Sequence, residues 1–187
     1  MAMTHQQALE VLAKHRGERI VVTTMTSVGL WPQISDEPID FAYIPSAMGH
    51  GTALGLGLAL AQPERGAIVV HGDGCTLMSL GALVTMAHNP ANLVLIIMDN
   101  ALYEVTGGQE TVGTGTVDFL KIAEGAGIPR RHQFEDVESW SRGAEQVLAG
   151  EGPVVIVLKI EGRMGQKTPK APRPMADQIS RLRNALI

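Results

Sequence analysis

Cysteine is almost absent from this sequence. Cys75 is the only one among 187 residues. A chain with one cysteine can form no internal disulfide, no all-cysteine zinc site and no cysteine-ligated iron–sulfur cluster of its own. Classes of protein that depend on any of these groups are therefore excluded or disfavoured from the outset.

Long apolar runs and dense basic segments are also missing. No apolar run reaches the roughly 18 residues that a membrane span needs, and the first ten residues lack the basic flank and apolar stretch of a signal peptide. The net charge is −4, with no dense Lys/Arg block before the tail, so binding to nucleic acid is not indicated. We expect a soluble, cytoplasmic protein that binds neither membrane nor nucleic acid.

Short apolar runs rich in Val and Ile alternate with segments that can form helices. The length fits one domain with a sizeable core. Runs that are apolar on both faces are typical of buried parallel strands, and their alternation with helices indicates βαβ crossovers. The prediction is an α/β fold with a three-layer, doubly wound, mostly parallel sheet. The predicted strands are Ile20–Thr24, Phe41–Ile44, Ala67–His71, Leu93–Met98 and Val154–Leu158, and the predicted helices are Gln6–His15, His50–Ala61, Thr76–His88, Phe119–Ala126, Val137–Ala149 and Met175–Ala185.

The composition changes near residue 160. Between Ile160 and Pro174 the residues are mostly Lys, Arg, Gly and Pro, which is typical of an exposed connector. We therefore expect one domain over residues 1–160, followed by a Pro-rich basic linker and a C-terminal helix over residues 161–187.

The turn Gly72-Asp73-Gly74 joins a predicted buried strand directly to a helix. Backbone N–H groups and the positive end of the helix then meet at the carboxyl edge of the sheet, where anions bind. Asp73 is the only carboxylate in this turn. A carboxylate beside a phosphate site makes most sense if a hard cation lies between the two negative groups.

A second polar pair, Asp99-Asn100, follows the next predicted strand. Asn100 comes 27 residues after Asp73, and a strand–helix–strand unit of that length returns the chain to the same edge of the sheet. A carboxylate, an amide oxygen and a backbone carbonyl, completed by diphosphate oxygens and water, form the oxygen-only site that Mg²⁺ prefers.

These residues resemble the thiamine diphosphate signature, which starts with Gly-Asp-Gly and ends with Asn-Asn. Asp99 replaces the first Asn, while Asn100 keeps the ligand position. Over about Ala8 to Leu158 the sequence is similar to the small β subunits of sulfopyruvate and phosphonopyruvate decarboxylases. The segments that carry this resemblance are residues 21–25, 46–49, 72–74 and 99–109, the last of which includes Tyr103 and Thr106-Gly107-Gly108-Gln109.

The resemblance implies roles for individual residues. It makes Asp73, Asn100 and the backbone carbonyl of Leu102 the ligands of Mg²⁺, and it places Met48 under the cofactor, where an apolar side chain holds the two rings in a bent conformation. The Ser46 carbonyl would accept a hydrogen bond from the aminopyrimidine. The other residues implied to contact thiamine diphosphate are Thr24, Gly72, Gly74, Cys75, Thr76, Tyr103 and Val105.

The family also needs a Glu that contacts the pyrimidine ring and starts proton removal from the thiazolium. In the family that Glu belongs to a second domain of similar fold, for which this sequence has no room. The resemblance therefore implies a partner α subunit that carries the pyrimidine-binding domain and the Glu, together with self-association. As a hypothesis, His50 or Glu104 assists at the substrate end, because both flank positions expected to contact the cofactor.

The resulting functional prediction is the diphosphate- and Mg²⁺-binding subunit of a decarboxylase acting on a small anionic 2-oxoacid such as sulfopyruvate or phosphonopyruvate. Two alternatives stay open. The first is the β subunit of a 2-oxoacid:ferredoxin oxidoreductase, against which the single cysteine argues. The second is a cofactor-binding module without activity of its own.

Overall fold

The computed structural model of the chain describes residues 2–45, 48–165, 167 and 169–187. Six strands of the described part form one sheet: β1 Ile20–Thr23, β2 Asp40–Ala42, β3 Ala67–Gly72, β4 Leu93–Asp99, β7 Arg130–Phe134 and β8 Val154–Lys159. All of them are parallel, and their order is β2-β1-β3-β4-β8-β7. A short antiparallel pair, β5 Leu102–Tyr103 and β6 Gln109–Glu110, lies outside this sheet.

Helices cover both faces of the sheet. They are α1 His5–His15, α2 Ser27–Leu30, α3 Gly51–Ala61, α4 Asp73–Leu77, α5 Gly81–His88, α6 Phe119–Gly125, α7 Val137–Ala149 and α8 Met175–Leu186, with 3-10 turns at Trp31–Gln33 and Glu104–Thr106. One core lies under α1 and α7, where the indole Nε1 of Trp140 donates to the Ala8 carbonyl at 3.1 Å. The other core lies under α3, α5, α6 and α8. The predicted three-layer α/β fold is confirmed.

The central strands are buried except at their carboxyl ends, Gly72 and Asp99. In β3 and β4, every residue from Ala67 to Val70 and from Leu93 to Ile97 is fully buried. Such strands are apolar on both faces because helices pack on both sides of a parallel sheet. This explains why the apolar runs located these strands correctly.

The structure corrects the predicted helix Thr76–His88. Two helices replace it, α4 and α5, and residues 78–80 form a turn between them. Ser79 and Gly81 weaken a helix interior. Helix α4 also begins earlier than predicted, at Asp73, so this carboxylate lies in the first helical turn.

Strand β7 was not predicted. Its sequence, Arg-Arg-His-Gln-Phe, is mostly polar, and it lies at the edge of the sheet beside β8. Edge strands with charged side chains are common because they resist pairing with other chains. Strand β2 was predicted over Phe41–Ile44 and is observed over Asp40–Ala42.

The opposite edge strand, β2, is covered by α8. The buried side chain of Gln178 accepts a hydrogen bond from the Ala42 N–H at 2.9 Å. The guanidinium groups of Arg173 and Arg181 both pair with Asp36.

Within the described residues, no helix combines the length and apolar character that crossing a bilayer would require.

The packing of α3 on the sheet leads to a first prediction. A Cβ added at Gly55 would lie 2.1 Å from Val69 Cγ2, whereas one added at Gly57, in the same helix, would meet no atom within 4 Å. We expect Gly55→Ala to lower the free energy of unfolding by about 1–3 kcal/mol through overpacking. Gly57→Ala should raise it by about 1 kcal/mol through helix propensity. Urea unfolding of both variants checks this, and equal effects would contradict the packing argument.

Candidate active site

A cleft opens at the carboxyl edge of the sheet, where β1, β3 and β4 end. In this strand order β1 and β3 are neighbours, but the chain leaves β1 towards β2 and returns through α3 to β3. Ligands of doubly wound folds bind at such a switch point. Together with its open mouth the cleft holds about 480 Å³ of space.

Most of the residues predicted to contact the cofactor line this cleft. They are Thr24, Met48, Gly72, Asp73, Gly74, Cys75, Asn100, Leu102, Tyr103 and Val105. Ser46 lies outside the described residues. The structure thus brings residues from four separate segments to one place, as the resemblance implied, and their contacts with a cofactor stay predictions.

Two predicted residues lie elsewhere. Thr76 does not line the cleft, because its hydroxyl donates to the Gly72 carbonyl at 3.0 Å and so turns back towards the end of β3. His50 is exposed immediately before α3 and is also not a lining residue. Any contact of His50 with a substrate would take place outside the cleft walls.

Asp73 is the central charged group of the cleft. It is 2% exposed, and its Oδ2 accepts a hydrogen bond from the Thr111 hydroxyl at 3.1 Å. Burial, with a contribution from the negative charge of Asp99, raises the pKa of Asp73 to about 6, against the opposing hydrogen bonds from Gly74 and Thr111. Among the described residues no Lys, Arg or His forms an ion pair with Asp73. A buried carboxylate without a cationic partner fits a site for a metal cation.

The turn after β4 presents the second set of polar atoms. Asn100 Oδ1 accepts the Leu102 N–H at 2.9 Å, and the residue between them, Ala101, has a φ of +60°. L-residues rarely adopt this conformation, and it costs roughly 1–2 kcal/mol. Strained backbone of this kind occurs mostly where a functional geometry is held by its surroundings.

Gly74 allows the two site segments to approach each other. A Cβ at this position would lie 2.3 Å from the Tyr103 ring carbon Cε1. The ring of Tyr103 therefore lies directly against the Gly74 backbone. The second glycine of the Gly-Asp-Gly turn is thus required by packing between α4 and the β5 segment.

Glu104 also lines the cleft and is 4% exposed. Its Oε2 accepts from the Thr26 hydroxyl at 2.8 Å, and its Oε1 accepts from the Arg163 backbone N–H at 2.8 Å. Glu104 thereby joins the segment after β1 to the segment after β8. Residues 161–165, predicted as part of an exposed connector, are exposed and yet contact the site: a Cβ on Gly162 would lie 3.0 Å from the Asn100 carbonyl oxygen.

The nucleophilic and basic side chains near the cleft are held in neutral form. Cys75 is buried, and burial raises the pKa of its thiol. His71 is 1% exposed, and burial lowers its pKa to about 4. Neither group has the exposed, ionised character of a nucleophile or a general base at neutral pH.

Several lining residues were missed by the sequence analysis. Met25, Thr26 and Ser27 follow Thr24 directly, so the position of this strand end at the carboxyl edge could have indicated them. His5, which comes from α1, gave no signal. The same holds for Thr111, which reaches Asp73 only through the β5–β6 hairpin.

His5 leads to a prediction about pH. Its Nε2 lies 2.8 Å from the Ser27 hydroxyl, and burial, with a smaller contribution from the positive charge of Arg163, lowers its pKa to about 4. Unfolded His takes up a proton below pH 6.5, whereas the folded state resists protonation down to about pH 4. The unfolded state therefore binds more protons in this window, and stability falls as the pH falls.

We expect His5→Gln to remove part of this acid sensitivity. Between pH 7 and pH 5 the titration of His5 should cost the wild-type chain about 2 kcal/mol of unfolding free energy. The unfolding free energy of the variant should fall by about this amount less over the same pH range. Part of the fall remains in the variant, because the titration of His71 still contributes to it. Urea unfolding at the two pH values measures the difference, and parallel losses in both proteins would refute the assignment.

Comparison with known proteins agrees with this geometry. Residues 23–158 match the family model "Thiamine pyrophosphate enzyme, C-terminal TPP binding domain". The chain is 33% identical over 162 residues to the sulfopyruvate decarboxylase subunit beta of Methanococcus maripaludis, covering 85% of this chain and 85% of the relative. It is 36% identical over 159 residues to the phosphonopyruvate decarboxylase of Streptomyces viridochromogenes, covering 84% of this chain and 40% of the relative.

A solved structure shares the fold. The benzoylformate decarboxylase of Polynucleobacter necessarius superimposes with a TM-score of 0.75 at 19% identity, over 91% of this chain and 35% of that one. At this identity the likeness concerns the fold alone. The chain spans about two fifths of the length of the phosphonopyruvate decarboxylases it matches.

Proposed function

The chain belongs to the thiamine pyrophosphate enzyme family, as a C-terminal TPP binding domain, and from this we propose that it provides the diphosphate- and Mg²⁺-binding part of a 2-oxoacid decarboxylase. The single observation that carries the proposal concerns Asp73, which is buried, forms no ion pair among the described residues and lines one cleft with Asn100 and Leu102. Thiamine pyrophosphate and thiamine diphosphate are two names for the same cofactor.

The donor set fits Mg²⁺. Asp73 would give a carboxylate oxygen, Asn100 an amide oxygen that keeps a second lone pair beside its bond to the Leu102 N–H, and Leu102 its backbone carbonyl. Oxygen-only donors with few protein ligands suit Mg²⁺, which retains water and binds phosphate oxygens. Among the described residues no group of three or more His, Cys, Asp and Glu side chains could hold a metal. The proposed site therefore includes diphosphate oxygens and water as further ligands.

The chain's own residues would bind and orient the cofactor. The Gly72–Gly74 turn brings backbone N–H groups at the start of α4 to the cleft, Thr24 and Tyr103 line its sides, and Met48, 42% exposed, offers an apolar contact at the mouth. When bound, thiamine diphosphate supplies the electron sink for loss of CO₂ from a 2-oxoacid.

We also propose residues 1–160 as the cofactor-binding domain and residues 161–187 as a connector and terminal helix.

The proposed substrate and partner follow from the relatives. The relatives from Methanococcus maripaludis and Streptomyces viridochromogenes are named as decarboxylases of sulfopyruvate and phosphonopyruvate, which are short 2-oxoacids with an anionic substituent. The first of the two is designated a beta subunit. We propose a small anionic 2-oxoacid as substrate and a partner chain that carries the pyrimidine-binding domain and its Glu. Self-association of the assembled enzyme and a cytoplasmic location belong to the same proposal.

Cofactor binding gives a direct test. Saturation with Mg²⁺ and thiamine diphosphate at about one hundred times the dissociation constant should stabilise the wild-type chain by about 2.7 kcal/mol. Asp73→Asn and Asn100→Ala should abolish most of this gain, because each removes a metal ligand. Asp177→Asn, on the exposed surface of α8, is the matched control. Thermal unfolding with and without both ligands measures the effect, and full stabilisation of Asp73→Asn would refute the proposed ligand.

Turnover tests the division of the site between chains. We expect no decarboxylation of sulfopyruvate or phosphonopyruvate by this chain alone and release of CO₂ when the pyrimidine-binding partner is added. Activity without any partner would overturn the split-site proposal.

In the assembled enzyme, His50→Ala and Glu104→Gln test the two residues proposed to assist at the substrate end. Unchanged turnover of a variant would remove the residue concerned from the mechanism.

A further inference from the structure

The orientation of Asp73 depends on a residue 38 positions further along the chain. The Thr111 hydroxyl donates to Asp73 Oδ2 at 3.1 Å, and Thr111 is itself only 5% exposed. Asp73 has no cationic neighbour in the described part of the chain to fix its side chain. The Thr111 hydroxyl is thus a side-chain group from outside the Gly-Asp-Gly turn that donates a hydrogen bond to the Asp73 carboxylate.

Thr111 is also bonded to the turn that holds the other predicted ligands. Its backbone N–H donates to the Ala101 carbonyl at 2.9 Å, and Ala101 lies between Asn100 and Leu102. The Thr114 hydroxyl donates to the same carbonyl at 3.2 Å. One residue therefore connects the carboxylate on α4 with the turn after β4, through a side-chain bond on one side and a backbone bond on the other.

The packing leaves the Thr111 side chain little freedom. A Cβ added at Gly74 would lie 3.3 Å from the Thr111 Cγ2 methyl group. The methyl group thus lies near the helix start while the hydroxyl contacts the carboxylate. A β-branched side chain has few rotamers to begin with, so this contact holds the hydroxyl in place without a large loss of entropy.

We propose that Thr111 is a positioning residue for the metal: its hydroxyl fixes the rotation of the Asp73 carboxylate and the hairpin bond sets its position relative to Asn100 and Leu102. This inference rests on the proposed function. Carboxylates that bind metals are themselves usually hydrogen-bonded, and loss of such a partner typically weakens metal affinity 10- to 100-fold. The hydrogen-bonded oxygen keeps lone pairs that a cation can use.

The test is calorimetric titration of Mg²⁺ into the full chain with thiamine diphosphate at saturation. Thr111→Val keeps the shape and removes the hydroxyl, so the dissociation constant for Mg²⁺ should rise about 10- to 100-fold. Thr111→Ser keeps the hydroxyl and should bind close to the wild-type value. Thr116→Val is the matched control, because the Thr116 hydroxyl lies in the same loop and, within the described part of the chain, bonds only to the Gly113 carbonyl.

A merely structural role would give a different result. If Thr111→Val lowers the melting temperature of the metal-free chain but leaves the Mg²⁺ dissociation constant unchanged, the inference is overturned and the proposed function stands. If the wild-type chain itself shows no Mg²⁺ binding, the proposed function fails and the inference fails with it. Should Thr111→Val not fold, Thr111→Ala removes the hydroxyl without placing a methyl group against Asp73, and the same weakening is expected.

Discussion

The parallel pairing of β3 with β4 is the constraint from which the site follows. Their register sets Gly72 opposite Met98, so that Asp73 and the Asp99-Asn100 pair begin at the same level of the sheet. Parallel strands require a crossover, and a crossover returns the chain to the same edge. The 27-residue separation between Asp73 and Asn100 therefore corresponds to one βαβ unit, which brings the polar ends of its two strands together.

The charges at this edge are arranged unevenly. Asp99 forms an ion pair with Lys159, its partner in the parallel register with β8, and Glu104 receives two hydrogen bonds. Asp73 and Glu104 are both buried, and neither forms an ion pair among the described residues. Of the two, Asp73 lies level with the turn after β4, where the proposed donors Asn100 and Leu102 line the same cleft.

Prediction from the sequence succeeded where a residue's role is set by its own strand. The buried strands appear in the sequence as apolar runs. The ends of these runs were enough to place Asp73 and Asn100 at the carboxyl edge of the sheet. Strand β7 was missed because an edge strand of mostly polar, partly buried residues has no apolar run. The break between α4 and α5 was missed because Ser79 and Gly81 weaken a helix by only about 1 kcal/mol or less each, which does not by itself predict where a helix ends.

The site residues that escaped prediction share a different property. His5 lines the cleft from α1, and Thr111 contacts Asp73 from the end of the β5–β6 hairpin. Their roles depend on tertiary contacts, and neither a spacing nor a composition encodes such contacts locally. Residues 161–165 illustrate the same limit, since a basic, Gly-containing segment indicates exposure and says nothing about what its backbone touches.

The hydrogen bond between Glu104 and the Arg163 N–H joins residues 59 positions apart. During synthesis on the ribosome, Asp73 and Asn100 emerge well before the backbone that this carboxylate needs. The wall of the cleft can close only after β8 has joined the sheet and the segment that follows it has been released. A nascent chain that has completed the Gly-Asp-Gly signature therefore still lacks one wall of the cleft until Arg163 has left the ribosome.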